Sequence, residues 1–294
     1  MTKASLLFKS LRPHQWVKNG FVLIPLLFAQ KVFHFPSLLK SLIALAIFCL
    51  LAGAIYLIND LIDLEADRAH PAKKDRPLAA GMITPRLAKV AAGIFLLLSL
   101  VSGFLLSAEF FLVVVIYVAV QALYNYRLKD VVILDLFCIS SGFFLRMIGG
   151  AVAIQVIISH WLIICTVLIS IFLALAKRRH ELVLLGVASA INHRKVLSEY
   201  DPYLLDQMIG VITGSTLLSY MLYCISPDTI EKFQTDRMIY TFPFVLYGIL
   251  RYLYLIHKRG RGGAPEKVIF SDSPLLISVL LWGFFSMLIV YRVI

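Results

Sequence analysis

The sequence predicts an all-α, polytopic membrane protein of nine transmembrane helices, forming a single domain over residues 1–294. Three observations predict it. Of the 294 residues, 60% are hydrophobic and only 15% charged, against roughly 45–50% and about 25% in a soluble domain. Apolar runs recur at even spacing along the whole chain, each of roughly the 17–25 residues a helix needs to cross a bilayer. The alternating segments of about ten residues that mark a transmembrane β-barrel are absent, and a backbone in lipid must satisfy its own polar groups, which leaves helices.

The spans fall near residues 16–32, 39–57, 87–106, 110–123, 131–153, 161–176, 205–225, 239–256 and 274–293. The first and fourth are short, and the second and fourth are expected to continue as helices beyond the membrane. Residues 5–16 read as an amphipathic helix lying on the membrane surface. Lys3, Lys9, Arg12 and Lys18 precede the first run, but no clean small-residue cleavage site follows, so the N-terminus does not read as a signal peptide.

Lys and Arg set the orientation. Most of the 28 lie in the N-terminal segment and in the second, fourth, sixth and eighth loops, the last two of which include Arg194, Lys195 and Arg261. Lys31, Lys40, Lys232, Arg237 and Arg292 fall on the opposite side. The N-terminus and the even-numbered loops are therefore expected in the cytoplasm, which places the protein in the cytoplasmic membrane with its polar face inward. The net charge of +11 fits basic loops against an anionic leaflet and also fits anionic substrates. Arg259-Gly260-Arg261-Gly262-Gly263 reads as a flexible connector, too short for a phosphate loop. Cys49, Cys138, Cys165 and Cys224 stand singly in apolar runs, without metal-ligand spacing. The seven histidines show no paired zinc spacing either.

The chemistry concentrates where the second span leaves the membrane, in Asn59-Asp60-Leu61-Ile62-Asp63-Leu64-Glu65-Ala66-Asp67. Read as one helix at about 100° per residue, Asn59, Asp60, Asp63 and Asp67 share one quadrant and Glu65 points away. Three carboxylates on one face repel unless a cation joins them. Mg²⁺ takes hard oxygen ligands and is commonly shared between carboxylates and substrate phosphates. The bland alternative is a solvated helix end. A basic loop follows, with Arg68, His70, Lys73, Lys74 and Arg76. The charge asymmetry explains some of these, and phosphate contact is the sharper reading.

Three further stretches stand out. In the fourth loop, Tyr126, Lys129 and Asp130 would share a helical face, whereas Asp130 and Asp135 are too badly spaced for a second carboxylate pair. Arg146 lies in the fifth span, about 16 Å further in than Asp135. A charge at that depth marks a functional site by default, holding either a lipid phosphate or a neighbouring helix. The sixth span ends in Lys177-Arg178-Arg179-His180-Glu181, where Lys177, Arg178 and Glu181 share a quadrant. They form either part of the site or a snorkelling basic anchor.

Asn59-Asp60-x-x-Asp63-x-x-x-Asp67 resembles the first Asp-rich motif of the UbiA-type intramembrane transferases. More narrowly, the residues from Leu11-Arg12-Pro13 to Trp16-Val17-Lys18-Asn19, the run from Asn59 through His70-Pro71 to Gly81, Ser140-Ser141-Gly142-Phe143, Tyr124 to Lys129, and Lys177-Arg178 through Glu181 resemble the phosphoribosyltransferase group within it that uses decaprenyl phosphate. The resemblance thins after about Glu199. It implies a nine-helix UbiA-like bundle in which Asn59, Asp60, Asp63 and Asp67 hold Mg²⁺ and the pyrophosphate of phosphoribosyl pyrophosphate (PRPP). Asp60, Asp63 and Asp67 would be the catalytic set. Lys18, Lys73, Arg76, Tyr126, Lys129 and Lys177 would contact phosphates and ribose, with Arg146 a further substrate-binding candidate. A polyprenyl phosphate would enter from the lipid and attack the anomeric carbon, giving a precursor of lipid-linked arabinose or ribose for envelope glycans. The alternatives are prenyl transfer to an aromatic ring, for which relatives usually carry a second acidic motif not seen here, and a non-catalytic transporter, whose acids would sit at the bilayer midplane.

Overall fold

A computed structural model describes residues 2–69, 73–185, 195–260, 262–263 and 265–293. His70, Pro71, Arg194 and Arg261 of the predicted loops lie outside them. All regular structure among the described residues is helical, and eight helices there are long and apolar enough to cross a membrane. The chain divides into two compact units, one formed by 1–125 and 145–156 and the other by 126–144 and 157–294.

The first unit begins with α1 (Lys3–Ser10), shorter than the predicted amphipathic segment. Leu6 and Leu11 bury against Leu57 and Leu78. The helix stops because Arg12 adopts a left-handed conformation, φ 54°, directly before Pro13. The predicted first span is not one α-helix. It is built as a 3₁₀ helix, Pro13–Leu23, followed by a short α2 (Ile24–Phe28). Runs of 3₁₀ beyond 3–4 residues are uncommon, and this one is held from the side by the fully buried Asn19 and Val22.

Next come α3 (Phe35–Ile62), α4 (Leu64–Ala69), α5 (Pro85–Leu106) and α6 (Ala108–Tyr126). Helix α3 packs along α5, and its inner face meets Phe110, Val114 and Tyr117 of α6. Phe48 stands edge-on to both Phe110 and Tyr117, with ring centroids 5.9 and 5.5 Å apart, the geometry aromatic quadrupoles favour. Helix α7 (Leu134–Ala153) contributes its second half here. Gly149 faces Phe48 of α3, and Gly150 lies against the backbone of Val22, so Gly150 allows the irregular N-terminal segment to approach α7 closely.

The second unit holds the first half of α7, α8 (His160–Leu185), α9 (Pro202–Ile225), α10 (Pro227–Phe233), α11 (Phe242–Arg259), α12 (Pro265–Ser271) and α13 (Ser273–Val290). Its core joins Leu136, Phe172, Leu175, Leu205, Tyr252 and Leu275. Buried polar groups there find partners. Trp282 donates to the Tyr220 hydroxyl at 2.7 Å, and that hydroxyl meets Thr241 at 2.6 Å. The glycine-rich stretch is not simply a free connector. The Gly262 N–H points at Nδ1 of His180, 3.3 Å away, and a Cβ at Gly262 would lie 2.9 Å from the Ala176 carbonyl oxygen.

A Cβ at Gly150 would lie 1.9 Å from the Val22 carbonyl oxygen, so Gly150→Ala must displace backbone. We expect a loss of about 1–3 kcal/mol or more, read by thermal unfolding in detergent. Gly210→Ala, whose Cβ meets nothing within 4 Å, should be neutral or stabilising by about 0.5–1 kcal/mol. Equal effects at the two positions would contradict the close approach.

Candidate active site

The helix that carries the acidic motif does not run through it. Helix α3 ends at Ile62, Asp63 caps it at φ −92°, ψ 15°, and α4 starts afresh at Leu64. The single quadrant of carboxylates expected from one continuous helix is therefore not formed. The joint keeps its hydrogen bonding, since the Asp63 N–H reaches the Asn59 carbonyl at 2.9 Å and the Asp67 N–H the Asp63 carbonyl at 2.8 Å. Asn59 and Asp63 are half-buried, Asp60 and Asp67 only 4% and 2% exposed, and Glu65 points to solvent and pairs with Arg68.

Two buried carboxylates cannot stand without counter-charge, and three cations supply it. Arg76 bridges the pair, donating to Oδ1 of Asp60 at 3.0 Å and to Oδ2 of Asp67. Arg12 donates to the same Asp60 oxygen, and Lys73 lies 3.7 Å from Oδ1 of Asp67. Arg76 is placed by a compact turn. Leu78 is buried in the core beside it, the Ala80 N–H bonds the Arg76 carbonyl at 2.8 Å, and Gly81 takes φ 72°, open to glycine at no steric cost.

Arg12 is the residue that residue-by-residue reading of the acidic motif missed. Its left-handed backbone at the end of α1 aims it back over α3. Its guanidinium stacks 4.8 Å above the Tyr56 ring, and the Tyr56 hydroxyl reaches Oε1 of Gln15 at 3.4 Å. Lys18 donates to the same oxygen at 2.6 Å. Arg12, Lys18, Lys73 and Arg76 thus belong to the neighbourhood of Asp60 and Asp67. The only sequence signal for Arg12 was its place in the stretch Leu11–Asn19.

Arg146 sits elsewhere in the first unit, 6% exposed. Its Nε donates to Oδ1 of Asn19 and a terminal nitrogen to the Tyr117 hydroxyl, both at 2.6 Å, with the guanidinium 4.9 Å above the Tyr117 ring. Asn19 in turn donates to Sγ of Cys49 at 3.2 Å. Of the two readings of Arg146, these contacts are those of a bracket between neighbouring segments.

In the second unit, α6 has ended at Tyr126, and a short 3₁₀ turn, Leu128–Asp130, follows Arg127, whose φ −147°, ψ −38° is neither helical nor extended. The helical face expected for Tyr126, Lys129 and Asp130 is therefore absent. Tyr126 is 86% exposed. Asp135, fully buried, accepts from Nε of Arg178 at 2.7 Å and from the Tyr200 hydroxyl at 3.0 Å. That hydroxyl accepts the Ile133 N–H at 2.7 Å. Burial, reinforced by the Asp135 charge, pushes the Tyr200 phenol above its ordinary value. Arg178 also reaches Glu181 at 2.9 Å, and Lys177 lies 4.0 Å from Glu181, so that predicted trio does assemble.

The carboxylate pair offers hard oxygen donors beside mobile-ended cations. No group of three or more His, Cys, Asp or Glu side chains converges as a ligand set among the described residues. Two carboxylates nevertheless suit Mg²⁺, which dehydrates reluctantly and completes its shell with water and substrate phosphates. The same guanidinium and ammonium groups suit phosphate oxygens.

Comparison with known proteins gives the family. The family model described as the UbiA prenyltransferase family matches residues 20–273. A decaprenyl-phosphate phosphoribosyltransferase of Mycolicibacterium smegmatis is 36% identical over 287 residues, covering 94% of this chain and 89% of the relative. One from Corynebacterium glutamicum is 36% identical over 293 residues, 97% and 86% of the two chains. Among solved structures, a UbiA homologue from Archaeoglobus fulgidus bound to GPP and Mg²⁺ superposes with a TM-score of 0.72 at 18% identity, over 97% of this chain and 99% of that one. This last likeness establishes the fold.

Arg178→Met would leave the Asp135 carboxylate buried without its main counter-charge. We expect a loss of about 3–5 kcal/mol in detergent unfolding experiments. Adding Asp135→Asn should recover much of it. A single variant as stable as the parent would show that the pair is not buried in solution.

Proposed function

The chain belongs to the UbiA prenyltransferase family and is a membrane transferase, and we propose that it moves 5-phosphoribose from PRPP to a polyprenyl phosphate. In this reaction a phosphate oxygen of the lipid attacks the anomeric carbon, the bond from that carbon to pyrophosphate breaks, and pyrophosphate leaves. The lipid phosphate is already ionised near neutral pH, so no general base is required. The product is a polyprenyl-phosphoryl 5-phosphoribose, suited as a precursor of lipid-linked arabinose or ribose.

The observation that carries this reading is the pairing of two buried carboxylates with Arg12, Lys73 and Arg76. A donor with a pyrophosphate and a separate 5-phosphate needs one metal-holding carboxylate group and a surplus of cations beside it. The identity to phosphoribosyltransferases over nearly the whole chain supports the same donor. Asp60 and Asp67 would hold Mg²⁺, with Asn59 and Asp63 at the helix joint beside them. When bound, Mg²⁺ would neutralise charge on the departing pyrophosphate. Arg76 and Lys73, which touch the carboxylates, would turn to phosphate oxygens. Arg12 and Lys18 would close the same side from the N-terminal segment. The site would face the cytoplasm, where PRPP is soluble, with the acceptor arriving through the membrane. The family's name and the GPP-bound relative favour a second reading, prenyl transfer to an aromatic acceptor.

The experiment supplies labelled PRPP, a polyprenyl phosphate and Mg²⁺ to purified protein in detergent, and follows label into the organic phase. We expect transfer that EDTA abolishes and that Asp67→Asn lowers by about 10²–10³-fold, with folding checked by thermal unfolding. A folded sample that ignores PRPP but prenylates an aromatic acceptor from GPP would replace this reading by the second one.

A further inference from the structure

Outside the acidic site, the first unit carries an open groove between α3 and α5. Two hollows of about 510 and 460 Å³ share Leu61 and Lys89. One reaches Arg86 at the start of α5, and the other continues past Ile58 and Gly93 to Leu96. Along α5 this is a run of about 15 Å. Its walls are apolar, and its only charges, Arg86 and Lys89, stand one helical turn apart at one end.

Both cations are exposed, and among the described residues no carboxylate lies within ion-pair distance of either. That separates them from Arg12, Lys73 and Arg76, whose charges are taken up by Asp60 and Asp67. The groove is kept hollow by Gly93, where a Cβ would meet nothing within 4 Å. Ile58 lies about 160° round α3 from Asp60, so the groove backs onto the helix that bears the site and is not part of the carboxylate cluster.

We propose that this groove is a capture site for a lipid phosphomonoester of a single isoprenoid chain, which seats its phosphate on Arg86 and Lys89 and its first isoprene units along Leu61, Gly93 and Leu96. The assignment rests on the proposed acceptor, a polyprenyl phosphate. Two unpaired cations match a phosphomonoester dianion, whereas a phospholipid diester brings a single negative charge and two chains. An open apolar groove running on from the cations offers a chain one continuous path along α5. A lipid phosphate held here waits behind α3, raising the local concentration of acceptor without touching the reacting atoms.

The test uses the full chain in phosphatidylcholine nanodiscs with a polyprenyl phosphate bearing a diazirine near its phosphate, in the absence of PRPP and Mg²⁺. Illumination should label peptides containing Leu61–Leu64 and Pro85–Gly93, the residues about the cation end of the groove. The double variant R86Q/K89Q should weaken labelling about tenfold to thirtyfold, the worth of two surface cations toward an anionic lipid. Gly93→Phe, which fills open space, should do the same in a protein that folds normally. In turnover both should raise KM for the lipid phosphate and leave kcat and the KM for PRPP unchanged. Labelling confined to other peptides, labelling unchanged in both variants, or equal displacement by phosphatidylglycerol would overturn the proposal. Labelling at the groove in a protein that transfers no phosphoribose would uphold the capture site and sink the reaction instead.

Discussion

Burying Asp60 and Asp67 together, 4% and 2% exposed, imposes the constraint that organises the first unit. Removing one partner from a buried ion pair costs several kcal/mol, so each carboxylate must recruit a cation from somewhere in the chain. Arg76 comes from the loop after α4, and Arg12 from the segment before the 3₁₀ helix. The distant N-terminal segment and the loop just after α4 are thereby tied to one point at the end of α3. Under the proposed reaction the guanidinium and ammonium groups hold a place that a divalent cation and a polyphosphate would compete for. Stability and the proposed ligand binding would then draw on the same charges.

That arrangement works only if the N-terminal segment is itself fixed, and a long 3₁₀ helix is a poor anchor on its own. Arg146 supplies the fixing from within the bundle. Bonded to Asn19 and Tyr117, it connects the segment to α6 and α7, while Gly150 removes the side chain that would hold them apart. The buried charge thus has hydrogen-bond acceptors and an aromatic face about it. A lysine would not reproduce this, since two directed bonds and a stacked plane need the guanidinium fork.

The fold was largely legible because hydropathy dominates it. Each of the eight long apolar helices corresponds to a predicted run, differing only in where the helix frays or extends. What hydropathy could not show was the 3₁₀ path of residues 13–23, since an apolar run containing Pro13, Gly20 and Pro25 has the same composition whichever way it winds. The site was legible in residue type but not in geometry. Asp60 and Asp67 were visible by spacing, yet the break at Asp63 was not, because nothing in Asn59–Asp67 is a strong helix breaker. Arg12 lies 48 residues from Asp60 in the chain. No local pattern encodes a contact over that separation.

The second unit sharpens the argument about chemistry. Asp135 looked like half of a mis-spaced acidic motif, but its charge is consumed within the unit by Arg178, and its remaining oxygen by Tyr200. A carboxylate so matched gains nothing by exchanging a fully buried guanidinium for a hydrated metal ion, whereas Asp60 and Asp67 face partly exposed cations that can swing away. The two acidic positions therefore differ in kind, one structural and one exchangeable. Asp60 and Asp67 are thus buried carboxylates whose counter-ions are partly open to solvent, and under the proposed reaction it is their surplus of positive charge that would receive a donor carrying a pyrophosphate and another phosphate.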